Sequence, residues 1–378
     1  MIANDGKIRK ASHVLVSKEL GGGERVGIDI ARYMKLSASW ETRIVAPRGG
    51  STALAVKAQD LDLAGYNEER LYSKKKFQSA LESLAIRRKM LFGKGVAHFH
   101  APFLYGALTR APALYGGVKT LVHVHLDYTD GIWGLAKPPD SIIVCADYLK
   151  RRVLESIEEK YRDAVKVHTV LNYVNTSTFT PAESGYSERG FGPESPFIVS
   201  IIANLSPHKG QITAVNAISQ LLKKGLSFKL RIVGSAQNGE NAYEASLREL
   251  VQRLQIFKNV EFLGQRNDVP TLLRESDALL LPSKNEGLPL SILEAQSSGV
   301  VVIAAPTAGI PEIISEGQTG FLIDADDATG YACALEKLYR DRTFSKILSV
   351  NALINIRRTH TESQYMNQIQ KIYHALIP

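Results

Sequence analysis

The chain has 378 residues, 44% of them hydrophobic, the make-up of an ordinary soluble globular protein with room for two domains. No apolar run approaches the roughly 18 residues that span a bilayer, and Met1 to Lys10 carry charge without an apolar core, so neither a membrane span nor a secretory signal is expected. The net charge of +8 is confined to one half: residues 1 to 185 hold 27 Lys and Arg against 19 Asp and Glu, and the remainder holds 19 against 19. The first half is therefore the one expected to meet an anionic partner. Cys145 and Cys333 are isolated in apolar surroundings and read as core residues in a reducing compartment.

In chain order, His13 to Val16 reads as a first strand, Gly21-Gly22-Gly23-Glu24 as a glycine turn, and Val26, Ile30 and Tyr33/Met34 as one face of a helix. Strand, glycine loop and helix form a layout that lets backbone approach a phosphate. The dinucleotide spacing Gly-x-Gly-x-x-Gly is missing, and a plain tight turn fits the glycines equally well. Thr42 to Ala46 is a second strand; residues 49 to 73 show no clear pattern. Between Tyr72 and Gly95, Lys74, Lys75, Lys76, Arg87, Arg88, Lys89 and Lys94 face the single acid Glu82, while Phe77, Leu81, Leu84 and Leu91 recur at helical spacing. Such a helix suits an anionic membrane surface, or packs its apolar face on its own domain. It lacks the interleaved aromatics of a nucleic-acid surface, and no nucleic acid is expected.

Val96 to His100 and Thr120 to His125 are strands ending in histidines, and in a parallel sheet ligands gather at the carboxyl ends of strands. His100 and His125 fall there; His98 and His123 read as structural. No carboxylate or Cys joins the four at ligand spacing, so no metal site is expected. Ser141 to Ala146 and Lys166 to Val170 complete this half.

Residues 181–196, rich in Pro, Gly and Ser, read as the linker. Alternation then restarts with strands at 197–202, 228–233, 260–264, 278–281 and 300–303, separated by helices. Two such series imply two doubly wound α/β domains, residues 1–180 and 197–360, with ligands in the cleft between them and residues 361–378 as a closing helix. Between the last two strands lies Ser283-Lys284-Asn285-Glu286-Gly287-Leu288-Pro289, with Glu294 one helical turn further on. A helix start offers free amides to an anion, and a carboxylate accepts from two neighbouring sugar hydroxyls. Anion plus vicinal diol suggests a nucleotide sugar. Taken alone, the pair equally suits a surface Glu and a capping Glu.

The chain resembles the glycosyl transferases group 1 family of retaining glycosyltransferases. The resemblance rests on Lys209-Gly210, Val260 to Gly264, Pro282-Ser283, Glu286-Gly287, Glu294-Ala295, Gly299 and Gly309-Ile310-Pro311-Glu312, in order and spacing. Gly21-Gly22-x-Glu24, His125-Leu126-Asp127 and Asn172-x-Val174-Asn175 match more loosely. It implies a GT-B fold, with two Rossmann-like domains facing a central cleft and the final helix returning to the N-terminal domain. It also implies a metal-independent, cofactor-free hexosyltransferase taking a UDP-sugar to a glycan or lipid-linked acceptor in envelope polysaccharide synthesis. Such an enzyme is expected in the cytoplasm, peripheral on the inner face of the membrane through residues 72–95. By the same resemblance, Glu286, His125 and Lys209 are the catalytic residues. Gly21, Gly22, Asn204, Lys209, Gly234, Arg266, Glu286, Gly287, Leu288, Pro289 and Glu294 hold the donor: Lys209 on the diphosphate, Glu294 on the ribose and Glu286 on the sugar. One departure stands out: Asn204 occupies a position where the family usually has Arg, and Asn supplies neither its charge nor its fork. Arg266 and Arg25 are the candidate substitutes. A non-catalytic sugar-nucleotide-binding subunit and an epimerase on the same fold are the alternatives.

Overall fold

The computed structural model describes residues 9–36, 40–72, 76–90, 95–109, 117–127, 138–182, 191–236 and 241–377. They form two compact units: the chain up to Leu171 with Tyr365 onward, and Asn172–Gln364.

The first unit is built on seven parallel strands: β1 (Arg9–Val14), β2 (Trp40–Pro47), β3 (Asp62–Tyr66), β4 (Gly95–Phe99), β5 (Val118–Val124), β6 (Ser141–Val144) and β7 (Lys166–Thr169). Their order is β3-β2-β1-β4-β5-β6-β7, so the winding reverses between β1 and β4. The central strands are buried along most of their length, as expected where helices cover both faces of a parallel sheet. One core, around Leu15, Ile28, Ile44 and Val56, lies under the helix Gly22–Leu36. The unpatterned stretch 49–73 contains the helix Gly50–Ala58, β3 and the helix Glu68–Leu71. β3 is an edge strand in which only Tyr66 is buried, so it lacks a hydrophobic run to read.

The second unit repeats the plan with six strands: β8 (Phe197–Ile202), β9 (Phe228–Val233), β10 (Val260–Gly264), β11 (Ala278–Leu281), β12 (Val301–Ala304) and the short β13 (Gly320–Leu322), which sequence patterning missed. The order β10-β9-β8-β11-β12-β13 reverses between β8 and β11. Both units thus have the doubly wound order in which the crevice beyond the strand ends opens at the reversal. Residues 172–180 pack within the second unit: Val174 N–H donates to the His360 carbonyl at 3.0 Å, and Ser297 Oγ to the Phe179 carbonyl at 2.6 Å. Residues 183–190 of the expected linker lie outside the described residues.

Two side-chain placements correct the expectations. Cys145 is buried, but Cys333 is exposed, because the helix Ala328–Arg340 buries Tyr331, Ala332, Ala334, Leu335 and Leu338 and turns position 333 outward. The basic stretch does form a helix, Lys76–Met90, but its buried side is Glu82, Ile86, Arg87 and Met90. Leu81 and Leu84 remain 52% and 43% exposed. Lys74, Lys75, Leu91 and Lys94 lie outside the described residues.

Candidate functional site

In the second unit the two strands flanking the reversal deliver the expected residues. β8 runs through Ser206 into a short 3-10 turn, Pro207–Lys209, and Gly210 then starts the helix Gln211–Lys223. Gly210 has φ +73°, and a Cβ there would meet the Pro282 carbonyl oxygen at 2.1 Å, so only glycine allows this crossing. β11 ends at Leu281 and the chain turns through 282–289 into the helix Leu290–Ser297, with Pro289 as its N-cap.

Between these loops Lys209 Nζ donates to Glu286 Oε1 at 2.7 Å, with side-chain exposures of 17% and 6%. The turn that carries Glu286 is tied on three sides. Lys284 N–H and Ser283 Oγ–H donate to the His208 carbonyl at 2.8 and 3.2 Å. Thr307 Oγ1 donates to the Ser283 carbonyl at 2.8 Å, and Gly309 N–H to the Gly287 carbonyl at 2.9 Å. Asn172 Nδ2 donates to the Leu288 carbonyl at 2.7 Å. Because the peptide is planar and trans, holding the Gly287 carbonyl toward Gly309 turns the Leu288 N–H the opposite way. Glu294, on the following helix, is buried.

Gly234 closes β9 with φ +136°, and a Cβ there would come within 2.0 Å of the Ala203 carbonyl oxygen. This brings β9's end against Ala203-Asn204. Asn204 is exposed, and its carbonyl accepts from the buried Gln211 Nε2 at 2.9 Å. Arg266 is engaged in its own loop, where its guanidinium grips Asp268 at 2.8 and 2.6 Å. The pair is solvent-exposed, so the Arg266 charge is already matched by a carboxylate.

In the first unit, Gly21 precedes the helix Gly22–Leu36, and a Cβ on Gly21 would lie 2.9 Å from Glu24 Oε2. Glu24 folds back on the loop, accepting the Ser17 N–H at 3.3 Å. Burial pushes its carboxyl pKa up, and hydrogen bonds from loop backbone partly offset this. The glycine loop therefore already holds one carboxylate. Gly23 and Gly27 serve packing: Cβ atoms there would crowd the His125 ring at 3.1 Å and His100 Nε2 at 3.0 Å.

His125 follows β5 and is partly exposed. Strand alternation places it beside His123, with ring centroids 4.0 Å apart, and places His98 beside His100 at 4.2 Å. Sequence reasoning missed two members of this group. His13 pairs in register with His98 across β1 and β4, and Tyr373 of the helix Glu362–Leu376 reaches both rings. Neither could be found without strand register, although the His13 position inside an apolar strand was a visible anomaly. Candidate ligand atoms of His13, His98 and His100, and of His100, His123 and His125, fall within 4.8 Å of one another. Among the described residues no helix is long and apolar enough to cross a membrane.

Comparison with known proteins bears on the family and the fold. The family model for glycosyl transferases group 1 matches residues 187–353. N-acetyl-alpha-D-glucosaminyl L-malate synthase of Bacillus anthracis is 28% identical over 212 residues, 56% of this chain and 54% of that protein. A UDP-Gal:alpha-D-GlcNAc-diphosphoundecaprenol alpha-1,3-galactosyltransferase of Escherichia coli is 28% identical over 222 residues, 57% and 56%. The matches thus span about half the length of these curated relatives. Among solved structures, Anabaena Alr3699/HepE in complex with UDP and glucose superposes with a TM-score of 0.83 at 19% identity, over 97% of this chain and 100% of that one. A glycosyltransferase from Rickettsia africae gives 0.78 at 20% identity, over 98% and 99%. These likenesses show the GT-B fold. Residues 187–353, a little under half of the chain, thus match the glycosyl transferases group 1 family.

Proposed function

We propose that the protein is a retaining, metal-independent glycosyltransferase that moves a hexose from a UDP-sugar to a glycan or lipid-linked acceptor in envelope polysaccharide synthesis. The observation that carries this reading is the Lys209–Glu286 pair at the reversal of the second sheet, on a turn tied down on three sides. The ammonium and the carboxylate satisfy each other. Donor binding would set the diphosphate against Lys209 and free Glu286 to accept from sugar hydroxyls, with Glu294 taking the ribose and Gly234 allowing close approach of backbone. The names of the relatives support the donor class, since two of the proteins compared above are named with UDP or a UDP-sugar.

The chemistry asks little of the protein beyond charge stabilisation. The bond from the anomeric carbon to the β-phosphate oxygen breaks, and its electron pair leaves with the nucleoside diphosphate. Lys209 stabilises that developing charge as a point cation. The acceptor hydroxyl attacks from the same face and its proton passes to the departing phosphate oxygen, which retains configuration. His125 faces the sugar in this reading. The basic helix Lys76–Met90, with Leu81 and Leu84 exposed, is proposed to rest on an anionic membrane surface.

Donor turnover by the purified protein is the test. Wild type should release UDP from a UDP-sugar when an acceptor is present, with EDTA making no difference. Lys209→Ala and Glu286→Ala should each lose about 10²- to 10³-fold in kcat. Full activity in both variants refutes the mechanism. UDP-sugar binding with no turnover on any acceptor would favour a non-catalytic subunit, which the exposed Asn204 makes a specific alternative. Interconversion of donors without an acceptor would indicate an epimerase.

A further inference from the structure

Five imidazoles crowd the carboxyl ends of β1, β4 and β5. His13, His98 and His123 are fully buried, His100 is nearly so, and His125 is the partly exposed member. The buried Tyr373 closes the inner end. The contacts form one connected chain. The Tyr373 hydroxyl lies 2.8 Å from His98 Nδ1 and 3.4 Å from His13 Nε2. His13 Nδ1 lies 3.3 Å from His100 Nε2, and His100 Nδ1 lies 3.2 Å from His125 Nε2. Burial keeps the rings neutral, lowering the pKa of His13 and His125 to about 3 and those of His98, His100 and His123 well below the usual value.

A neutral imidazole has one N–H and one lone pair. Each contact therefore needs one donor, and along Tyr373, His13, His100 and His125 reversing one link reverses the rest; the phenol oxygen, with two lone pairs, leaves the His98 link independent. Only two polarities of that run remain. The phenol is a stronger acid than a neutral imidazole N–H, and its shorter contact is to His98 Nδ1, so it donates there. Its oxygen then accepts from His13 Nε2–H. His13 Nδ1 accepts from His100 Nε2–H, and His100 Nδ1 accepts from His125 Nε2–H.

We propose that Tyr373, His13 and His100 form a tautomer relay that holds His125 as its Nε2–H form, with the Nδ1 lone pair kept ready to accept a hydrogen bond from a sugar hydroxyl. The use of that lone pair rests on the glycosyltransferase reading; the relay itself rests on the contacts. Tyr373, His13 and His100 are positioning residues that act through His125. Gly23 and Gly27 belong to the same device, because any larger residue would push the helix Gly22–Leu36 off the rings. A metal centre fits the rings less well. Imidazole lone pairs lie in the ring plane, and His123 stacks on His125 at 25°, His98 on His123 at 4° and His100 on His125 at 11°. Stacked rings set their lone pairs side by side instead of converging them. Among the described residues neither buried ring nitrogen of His123 has a partner, which suits a stacking role and leaves it outside the relay.

The test is ring-nitrogen NMR of 15N-histidine protein, comparing wild type with Tyr373→Phe, which removes only the terminal hydroxyl. His125 should be Nε2-protonated in wild type and should shift toward a mixture of tautomers in the variant. A Nδ1-protonated His125 in wild type, or the same tautomer in both, overturns the relay. So does one equivalent of zinc retained after dialysis, with metal-shifted His125 nitrogens. If Tyr373→Phe fails to fold, His100→Asn serves instead, since its amide still faces His125 Nε2 while the link to His13 is cut. In turnover, Tyr373→Phe should lower kcat about two- to tenfold with donor KM unchanged, and unchanged kcat overturns the catalytic use of the lone pair. A wild type with the expected tautomer but no turnover on any nucleotide sugar sinks the proposed function and leaves the relay standing.

Discussion

Lys209 and Glu286 are 77 residues apart in sequence and 2.7 Å apart in space, in a surrounding where neither side chain is more than 17% exposed. Removing one partner leaves the other's charge poorly solvated, so single truncations should cost stability as well as activity. The glycines around them are equally specific. Gly210→Ala and Gly234→Ala place a Cβ at 2.1 and 2.0 Å from a carbonyl oxygen in left-handed backbone. Each should destabilise by more than about 1 kcal/mol, read as a lower urea midpoint with unchanged slope. Asn204 is exposed and has room for a longer side chain. A charge-assisted contact to the diphosphate is worth about 1.5–3 kcal/mol. Asn204→Arg should therefore tighten UDP binding by about ten- to a hundredfold in calorimetry; unchanged affinity would show that the position does not meet the diphosphate.

Among elements, the helix Lys76–Met90 separates what spacing can and cannot say. Spacing placed Leu81 and Leu84 on an apolar face, and they do share one; but the face that packs carries Glu82, Ile86 and Met90. Glu82 is drawn inward because its Oε1 accepts the Asn67 N–H at 2.7 Å, at the start of the helix Glu68–Leu71. A hydrogen bond from outside the helix thus selects its buried side. The exposed leucines are expected to add to charge in membrane attachment. Leu81→Gln with Leu84→Gln should reduce flotation with anionic liposomes while leaving the thermal midpoint within about 1 °C, since surface changes of this kind move stability by about 0.5 kcal/mol or less. Flotation that is unchanged in the double variant, or absent in wild type, excludes this helix as the attachment site.

For the molecule as a whole, the buried histidines couple stability to pH. The folded-state pKa of His13 is lowered to about 3 by burial, against about 6.5 in an unfolded chain. The unfolded state therefore binds the extra proton between these values. The contribution is fully present above pH 6.5 and is lost progressively as pH falls toward 3. One such ring costs about 2 kcal/mol between pH 6.5 and 5. With His98, His100 and His123 shifted in the same direction, the loss becomes a large share of a typical domain's 5–15 kcal/mol. Urea midpoints at pH 8.5, 7.5 and 5.5 should be level between the first two and drop sharply at the third. A level profile throughout would show that the rings are not held neutral.

Local pattern was enough for the α/β alternation, the doubling of the doubly wound plan and the candidacy of Glu286 and His125, because periodicity, glycine turns and strand ends are properties of neighbouring residues; Lys209 came from the family resemblance. It was not enough for the edge strands β3 and β13, which bury too little to show a run. Three things were settled only by pairing across the fold. The strand order put β8 beside β11 and so brought Lys209 to Glu286. The β1–β4 register set His13 against His98. The last helix carried Tyr373 to both of them, 360 and 275 residues from its partners in sequence. Each depends on which distant surfaces bury one another, and that free energy belongs to no single stretch of the chain.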